Sequence, residues 1–309
     1  MVKKISSKKE KLSPDDKKAR LEEVMALNNK KYGRQVLKYA KHEVIERIPF
    51  KCDKFNEVSG GGVPIGRFNI IWGPKGSTKS SSCYDLVSNA QAEGKICAWF
   101  DYEQSFHSEW ASVHGVDVEN LVLCNEFNTA EEGMDMIINM AETEAVDLII
   151  IDSIQGLSPT GEQETKKGIV KDMKDDTMAL LARKLSEFFR RTASRIARAK
   201  CTIVLIGQNR TSLGSFITFD KLSGGNALEH WSSLTLAVRR GQKANAPAVS
   251  KKTGNPVKGS NPDAKYCGFE VVMKVEKSKV GPDEMKEARA LFYYGEGFKE
   301  QEIIGEETE

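Results

Sequence analysis

Eight residues between an apolar run and a predicted helix have the order of a phosphate-binding loop: Gly73-Pro74-Lys75-Gly76-Ser77-Thr78-Lys79-Ser80. The backbone N–H groups of such a loop, with the N-terminus of the following helix, bind phosphate oxygens. We expect Lys79 to reach the β- and γ-phosphates of a nucleotide and Ser80 to ligate Mg²⁺, with Ser81 completing the nucleotide-binding set. Thr78 stands where such loops have glycine, and its branched side chain restricts the backbone. The alternative is a simple turn between a strand and a helix.

A carboxylate with the right placement for Mg²⁺ follows a second apolar run. Asp152 comes directly after residues 148–151, which predict a buried strand. At the carboxyl end of a strand beside a phosphate loop, such a carboxylate can hold the metal through water. An Asp at the end of an apolar run is also common at ordinary strand ends. The pairing with Lys79 and Ser80 favours the magnesium role.

Two further strand ends carry groups suited to hydrolysis. Cleavage of ATP needs a group that orients and deprotonates the attacking water, and a carboxylate at a strand end can do this. Glu103, which follows residues 96–100, is the candidate catalytic base, and Asp101 is the competing carboxylate. Gln208 follows residues 202–206, and its amide could sense hydrolysis of the γ-phosphate.

The elements that must position these groups alternate between strands and helices. Apolar runs predict strands at residues 68–72, 96–100, 121–123, 148–151, 202–206, 234–238 and 269–275. Helix-like segments occupy residues 81–92, 106–114, 130–142 and 177–200. Apolar strands separated by helices predict an α/β fold with a largely parallel, twisted sheet flanked by helices. The last two strands have no helix between them, which predicts an antiparallel extension with a Lys-rich turn over residues 241–265.

Three regions are expected along the chain. Residues 1–43 form a basic tail and a helix that starts at Ser13-Pro14 and runs towards residue 40, with Gly33 as a candidate break. We expect this region to pack against other subunits. Residues 44–298 form the catalytic core, and residues 299–309 form an acidic tail.

Composition excludes several classes of protein. The net charge is +2 over 309 residues, and the six cysteines are scattered without a C-x-x-C pair. This pattern predicts reduced thiols of a cytoplasmic protein and excludes a disulfide framework or a cysteine zinc site. No apolar segment is long enough to cross a membrane.

Six further segments follow one another along the chain: GGVPIGR (61–67), FDYE (100–103), GQNR (207–210), SGGNAL (223–228), KVEKSK (274–279) and YYGEG (293–297). They occur in the order found in the RecA family of recombinases, which the chain resembles over residues 58–298. The resemblance implies a RecA-like P-loop NTPase core. The few residues after 298 imply a compact, phage-type member that lacks the C-terminal domain of bacterial members.

The resemblance also implies roles for residues outside the phosphate loop. Trp110 lies where the family has an aromatic residue that stacks on adenine, and an ordinary core aromatic is the alternative. His107 lies where the family often has an acidic residue that contacts the adenine amino group. Lys277 and Lys279 match the two lysines that reach the nucleotide of the neighbouring subunit.

DNA binding is expected from two loops, at residues 159–176 and 210–226. The resemblance assigns DNA contacts to Met178, Arg183, Ser186, Arg190, Arg210, Gly224, Gly225 and Asn226. Backbone N–H groups of a glycine pair can bind phosphate. The lysines of residues 241–265 could attract a second DNA strand or simply be solvated.

The expected function is ATP-dependent homologous recombination, with ATP and Mg²⁺ as cofactors. The protein would form helical filaments on single-stranded DNA and exchange strands with double-stranded DNA. A single-strand-binding protein or a loading mediator is a candidate partner. One alternative is an accessory protein that binds ATP and DNA without strand exchange. Another is a hexameric helicase, although no helicase-type second domain is recognisable in the sequence.

Overall fold

The computed structural model describes residues 12–40, 44–158, 178–210, 221–222, 226–258 and 261–299. The chain divides into two compact units, residues 1–44 and 45–309. In the first unit, helix α1 (Pro14–Tyr32) begins after Ser13, whose hydroxyl accepts a hydrogen bond from the Asp16 N–H. Gly33 ends the helix in a left-handed conformation (φ 62°), so the helix stops before the predicted residue 40.

The second unit contains the strands and the remaining helices. The strands are, in chain order, β1 (Arg47–Ile48), β2 (Val63–Pro64), β3 (Phe68–Gly73), β4 (Cys97–Asp101), β5 (Leu121–Cys124), β6 (Leu148–Asp152), β7 (Thr202–Arg210), β8 (Lys221–Leu222), β9 (Leu234–Arg240), β10 (Ala248–Ser250), β11 (Pro256–Val257), β12 (Ala264–Tyr266), β13 (Gly268–Ser278), β14 (Glu287–Tyr293) and β15 (Gly297–Lys299). The helices are α2 (Asp53–Ser59), α3 (Lys79–Ala92), α4 (Ser108–Val113), α5 (Ala130–Glu142), α6 (Met178–Ala199) and α7 (Asn226–Trp231).

A ten-stranded sheet forms the centre of this unit. Its strand order is β15-β14-β13-β9-β3-β7-β6-β4-β5, and β8 pairs with β7. The strands from β9 to β5 are mutually parallel, whereas β13, β14 and β15 add an antiparallel extension. The α/β fold class, the largely parallel sheet and the terminal antiparallel extension are therefore confirmed.

Helices cover both faces of the sheet, which explains why its strands read as continuous apolar runs. In β6, Leu148 and Ile150 face a cluster that includes Leu86 of α3. The alternate residues, Ile149 and Ile151, face a second cluster with side chains of α5 and α6. Because neighbouring residues of a strand point to opposite faces, a strand covered on both sides has no polar alternation. Within the described ranges, no helix is both long and apolar enough to cross a bilayer.

Residues 241–258 and 261–267 form a small structure where the sequence predicts only a turn. A short 3-10 helix (Lys243–Asn245) leads into a three-stranded sheet of order β11-β10-β12. The buried carboxylate of Glu270 holds the start of this segment, since it accepts hydrogen bonds from Gln242 N–H and Asn245 Nδ2, both at 2.9 Å. Of the lysines in this segment, Lys265 lies on β12, Lys243 lies in the 3-10 helix, and Lys251 and Lys252 lie in the turn after β10.

Candidate nucleotide-binding site

The phosphate loop connects the end of β3 to the start of α3, as the sequence predicts. A Cβ atom on Gly73 would lie 1.9 Å from the Val238 carbonyl oxygen, so only glycine fits where β3 passes β9. Gly76 has a φ of +71°, and its carbonyl accepts a hydrogen bond from Arg240 Nε at 2.9 Å. The buried Ser77 hydroxyl has no hydrogen-bond partner among the described residues. A loop with a free polar group and glycines at its close contacts fits the binding of an anion.

Thr78 adopts a left-handed backbone conformation at the start of α3, with φ 71° and ψ 21°. A β-branched residue in this region is a steric outlier, because its Cβ substituents crowd the backbone. Its hydroxyl donates a hydrogen bond to the Ser77 carbonyl oxygen. The departure from glycine in the sequence therefore coincides with the conformation that favours glycine.

Lys79 is buried beneath the loop, with 7% of its surface exposed. Its ammonium group donates a hydrogen bond to the Pro74 carbonyl oxygen at 2.8 Å, so the side chain folds back under the loop. Burial lowers the pKa of Lys79, while the nearby carboxylates of Asp152 and Glu103 act in the opposite direction. A buried cation beside a loop of N–H groups is suited to an anionic ligand.

Ser80 and Asp152 meet across the end of the sheet. The Ser80 hydroxyl donates a hydrogen bond to Asp152 Oδ2 at 2.9 Å. Burial raises the pKa of Asp152 to about 7, and Glu103 and Asp101 add to the rise, while the Ser80 hydrogen bond opposes it. A bound cation would favour the charged carboxylate.

This donor set fits Mg²⁺ shared with phosphates. The described residues contain no group of three or more His, Cys, Asp or Glu side chains that could hold a metal alone. Mg²⁺ commonly binds one or two carboxylates together with substrate phosphates and water. Ser80 and Asp152, beside the phosphate loop, provide that partial set of ligands.

The two candidate carboxylates at the end of β4, Asp101 and Glu103, have different surroundings. Asp101 is buried, and its Oδ2 accepts a hydrogen bond from the Phe106 N–H at 2.8 Å, which holds the following loop. Glu103 is exposed, and its Oε1 accepts hydrogen bonds from the Ser153 hydroxyl and, at 2.8 Å, from Gln208 Nε2. Of the two, Glu103 is the one whose carboxylate contacts Gln208.

Gln155 belongs to this cluster, although sequence reasoning did not select it. It lies in a 3-10 helix (Ile154–Gly156) directly after β6. Its Oε1 accepts a hydrogen bond from the Gln208 N–H at 3.0 Å, and its Nε2 donates one to the Gln208 carbonyl oxygen at 3.1 Å. Its only signal in the sequence is its position three residues after Asp152.

Trp110 lies next to the phosphate loop but is partly a core residue. Its Nε1 donates a hydrogen bond to the hydroxyl of Ser81 at 3.2 Å, on the first turn of α3. Its ring meets that of His114 edge to face, with centroids 4.7 Å apart. His107 caps α4, since its Nδ1 accepts a hydrogen bond from the Trp110 N–H. The half-buried indole is compatible with base stacking and with a packing role, so adenine stacking stays a prediction.

Lys277 and Lys279 do not reach the nucleotide site of their own subunit. Lys277 pairs with Thr235 near the start of β9, and β9 runs parallel to β3. Both lysines therefore lie near the amino-terminal ends of β3 and β9, whereas the phosphate loop follows the carboxyl end of β3. The Lys277 ammonium donates a hydrogen bond to the Glu229 carbonyl oxygen, and that of Lys279 donates to the His230 carbonyl oxygen. Burial, and then the proximity of Lys279, lowers the pKa of Lys277.

The predicted DNA-binding residues of α6 share one face of the helix. Arg183 and Arg190 are exposed and seven residues apart, and Ser186 lies between them. Arg191 instead forms ion pairs with Asp135 and Glu187, at 3.4 and 3.8 Å. Neither Arg183 nor Arg190 has an ion-pair partner within the part of the chain that the structure describes.

The predicted DNA loops fall largely outside the described residues. These include the whole of residues 159–177, residues 211–220, and Gly224 and Gly225. The side chains of Met178, Arg210 and Asn226 also lie outside the description, although their backbones belong to α6, β7 and α7. The assignment of all these residues to DNA stays a prediction.

Comparison with models of known protein families gives one match that spans most of the chain. Residues 19–299 match the family model described as the RecA N-terminal domain. The match includes the phosphate loop, the carboxylates at the ends of β4 and β6, and the two lysines Lys277 and Lys279.

Proposed function

The chain belongs to the RecA family, and from this we propose that it is a DNA-dependent ATPase that polymerises on single-stranded DNA and catalyses homologous strand exchange. Membership supports a RecA-like recombinase or ATPase in general. We add to this, as the proposal, filament formation, strand exchange and the roles of individual residues.

One observation carries the proposal: four functional side chains meet at the carboxyl edge of three strands and the start of α3. Ser80 contacts Asp152 at 2.9 Å, and Gln208 contacts Glu103 at 2.8 Å. In parallel sheets, this edge is where ligands bind. The proposed metal-binding pair, Ser80 and Asp152, therefore lies beside the proposed hydrolytic pair, Glu103 and Gln208.

Each residue of the cluster has a chemical task in this proposal. Lys79 would turn from the Pro74 carbonyl to the β- and γ-phosphates of ATP, and Ser80 and Asp152 would hold Mg²⁺, which would neutralise charge on those phosphates. Glu103 orients the attacking water and accepts its proton. Gln208, two residues before Arg210 at the end of β7, senses the γ-phosphate and passes its state towards the second predicted DNA loop.

Self-association is supported by surfaces that one subunit leaves uncovered. Lys277 and Lys279 face away from their own phosphate loop, so a role at ATP requires a second subunit. Exposed apolar side chains occur on α1 and on the edge strand β5: Leu21 (46%), Val24 (49%), Leu27 (68%), Val122 (42%) and Leu123 (39%). Different surfaces on the two sides of an interface generate a ring or a helical filament.

The test measures ATP hydrolysis with and without single-stranded DNA, and strand exchange between circular single-stranded DNA and a homologous linear duplex. The wild-type protein should hydrolyse ATP faster with DNA and form joint molecules. Glu103→Gln should keep ATP binding but lose hydrolysis by about a hundredfold, because it lacks the base. Glu119→Gln, which changes an exposed carboxylate outside the cluster, is the control. Absence of DNA stimulation in the wild-type protein would refute the recombinase proposal, and a wild-type rate in Glu103→Gln would refute the assignment of the base.

A second candidate function is favoured by the conformation of Thr78. A strained phosphate loop suits a protein that binds ATP to assemble and hydrolyses it slowly. Such an accessory protein would bind ATP and DNA but form no joint molecules in the same assay. The strand-exchange measurement therefore separates the two candidates.

A further inference from the structure

We infer that Gln155 is a positioning residue that couples DNA binding to ATP hydrolysis, because it fixes the backbone of Gln208 and thereby the contact between Gln208 and Glu103. This inference rests on the proposed function. Gln155 touches neither the phosphate loop nor the predicted metal ligands in the contacts of the described residues. It acts through another residue.

The position of Gln155 follows from the way two strands separate. Strands β6 and β7 pair in parallel from Leu148 and Thr202 as far as Ile151 and Leu205. On its other side, β7 continues alongside β3 until Gln208 lies beside Gly73. Beyond Leu205, therefore, the β6 side of β7 has backbone groups without a ladder partner from β6.

The carboxamide of Gln155 takes the place of the missing strand. A parallel neighbour would accept from the N–H of residue 208 and donate to its carbonyl oxygen, and the side chain of Gln155 does both, at 3.0 and 3.1 Å. Glutamine carries both an acceptor and two donors on one planar group, so it can imitate a peptide unit. The side chain thus extends the ladder by one residue.

This extension determines where the functional amide of Gln208 points. With its backbone held, the Gln208 side chain places Nε2 at 2.8 Å from Glu103 Oε1. The Ser153 hydroxyl completes the connection, since it contacts the same Glu103 oxygen and lies 3.2 Å from Gln155 Oε1. The two half-buried glutamines, the serine and the glutamate form one network.

The network also joins the strand exits that lead to both predicted DNA loops. Gln155 precedes residues 159–176 by four positions, and Gln208 precedes residue 210 by two. A change of backbone position at either exit would alter the hydrogen bonds of Gln155 and so the orientation of Gln208. The side chain of Gln155 therefore links the position of both loops to the contact between Gln208 and Glu103.

The chain contains a matched control for this arrangement. In the last turn of α3, Gln91 makes the same reciprocal pair with a backbone: its Oε1 accepts from Asp117 N–H and its Nε2 donates to the Asp117 carbonyl oxygen, both at 2.9 Å. Gln91 lies about 18 Å along the helix from Lys79. Replacing it removes an equivalent pair of hydrogen bonds away from the site.

The experiment compares Gln155→Met with Gln91→Met, since methionine has a similar length but cannot form these hydrogen bonds. For each variant, kcat and KM for ATP are measured with and without saturating single-stranded DNA, together with the thermal midpoint. Gln155→Met should lower the DNA-stimulated kcat about tenfold through loss of two hydrogen bonds, with KM for ATP within about twofold of wild type. Gln91→Met should lose a similar amount of thermal stability and keep the stimulation. Gln155→Asn, which retracts the amide by one methylene, tests the same prediction if the methionine variant does not fold.

Equal stimulation in Gln155→Met and Gln91→Met, with a stimulated wild-type protein, would overturn the inference and leave the proposed function intact. A wild-type protein without DNA stimulation would instead refute the proposed function itself. A second readout is the ratio of single-stranded DNA affinities with ATP and with ADP. Gln155→Met should bring this ratio close to one, whereas a wild-type ratio would count against the coupling role.

Discussion

At the scale of single residues, Thr78 occupies the position at which phosphate loops have glycine. The loop adopts the left-handed conformation that suits glycine even though threonine occupies the position. The backbone is therefore set by the surrounding turn and helix, and the residue must tolerate it. Strain of this kind is of the order of 1–3 kcal/mol per residue.

Thr78→Gly should stabilise the protein by about 1 kcal/mol, because removing the strain outweighs the extra freedom of glycine in the unfolded chain. The thermal midpoint should rise by about 2 °C, and ATP hydrolysis should stay equal or increase. Thr78→Ala is the control, since it removes the hydroxyl but keeps a Cβ in the left-handed region. Lower activity in both variants would show that the hydroxyl bonded to the Ser77 carbonyl is needed.

Lys79→Ala should abolish hydrolysis and weaken nucleotide binding, because it removes the buried charge that we propose binds the β- and γ-phosphates. We expect the rate to fall by about a hundredfold or more. Lys75→Ala removes an exposed lysine from the same loop and should change the rate little. Binding of a fluorescent ATP analogue and steady-state hydrolysis measure the two effects. Equal losses in both variants would indicate a general effect of loop charge.

At the scale of elements, the sequence predicts the positions of the buried strands, because these follow from the local apolar pattern. It does not predict contacts that arise where two strands separate. Each predicted core strand begins within one residue of its predicted start and ends one to four residues beyond its predicted end, because burial on both faces leaves an apolar run. Strands β14 and β15 were missed, since β14 alternates polar and apolar residues and β15 has only three. The contact of Gln155 with Gln208 was missed because it arises where β6 and β7 separate.

Helix α6 presents basic side chains on two faces, which residue types alone do not distinguish. Lys184, Arg191 and Arg195 pair with Glu131, Asp135 and Glu142, which are acids of α5. Arg183 and Arg190 point elsewhere and are exposed. The contacts with α5 therefore remove part of the basic run from consideration as a DNA surface.

Arg183→Ala and Arg190→Ala should each weaken binding to single-stranded DNA and flatten its salt dependence. Loss of one phosphate contact should reduce the slope of log affinity against log salt by about 0.7. Arg191→Ala removes the same charge from the next position and should leave the slope nearly unchanged, because Arg191 already pairs with Asp135. Fluorescence anisotropy over a range of salt concentrations provides the measurement. An equal change in slope for Arg190 and Arg191 would contradict a distinct DNA face.

At the scale of the whole molecule, the two halves of the proposed ATPase site are the phosphate loop and the pair Lys277 and Lys279. They lie at opposite ends of the parallel strands β3 and β9. The phosphate loop follows the end of β3, whereas Lys277 lies beside the start of β9. A head-to-tail arrangement of subunits would bring one half to the other. The site assignment therefore makes a prediction about assembly.

The double variant Lys277→Ala/Lys279→Ala should fold but lose DNA-stimulated hydrolysis, because charge supplied from a neighbour stabilises phosphoryl transfer. Mixed in equal amounts with Lys79→Ala, it should regain activity, since about a quarter of random head-to-tail interfaces would combine two intact halves. Hydrolysis rates across a series of mixing ratios provide the measurement. A strictly additive rate, with no recovery at any ratio, would count against a shared site.

The hydrogen bonds of Lys277 and Lys279 inside the subunit have a consequence for cooperativity. Their acceptors are the carbonyl groups of Glu229 and His230, in the last turn of α7, where the negative end of the helix dipole favours cations. An ammonium group that turns to the ATP of a neighbour must leave these carbonyls, and α7 begins at Asn226, the last residue of the second predicted DNA loop. Nucleotide occupancy in one subunit and the stability of that helix turn in the next would then be thermodynamically linked. By reciprocity, DNA that favours the released turn in one subunit would increase the ATP affinity of its neighbour.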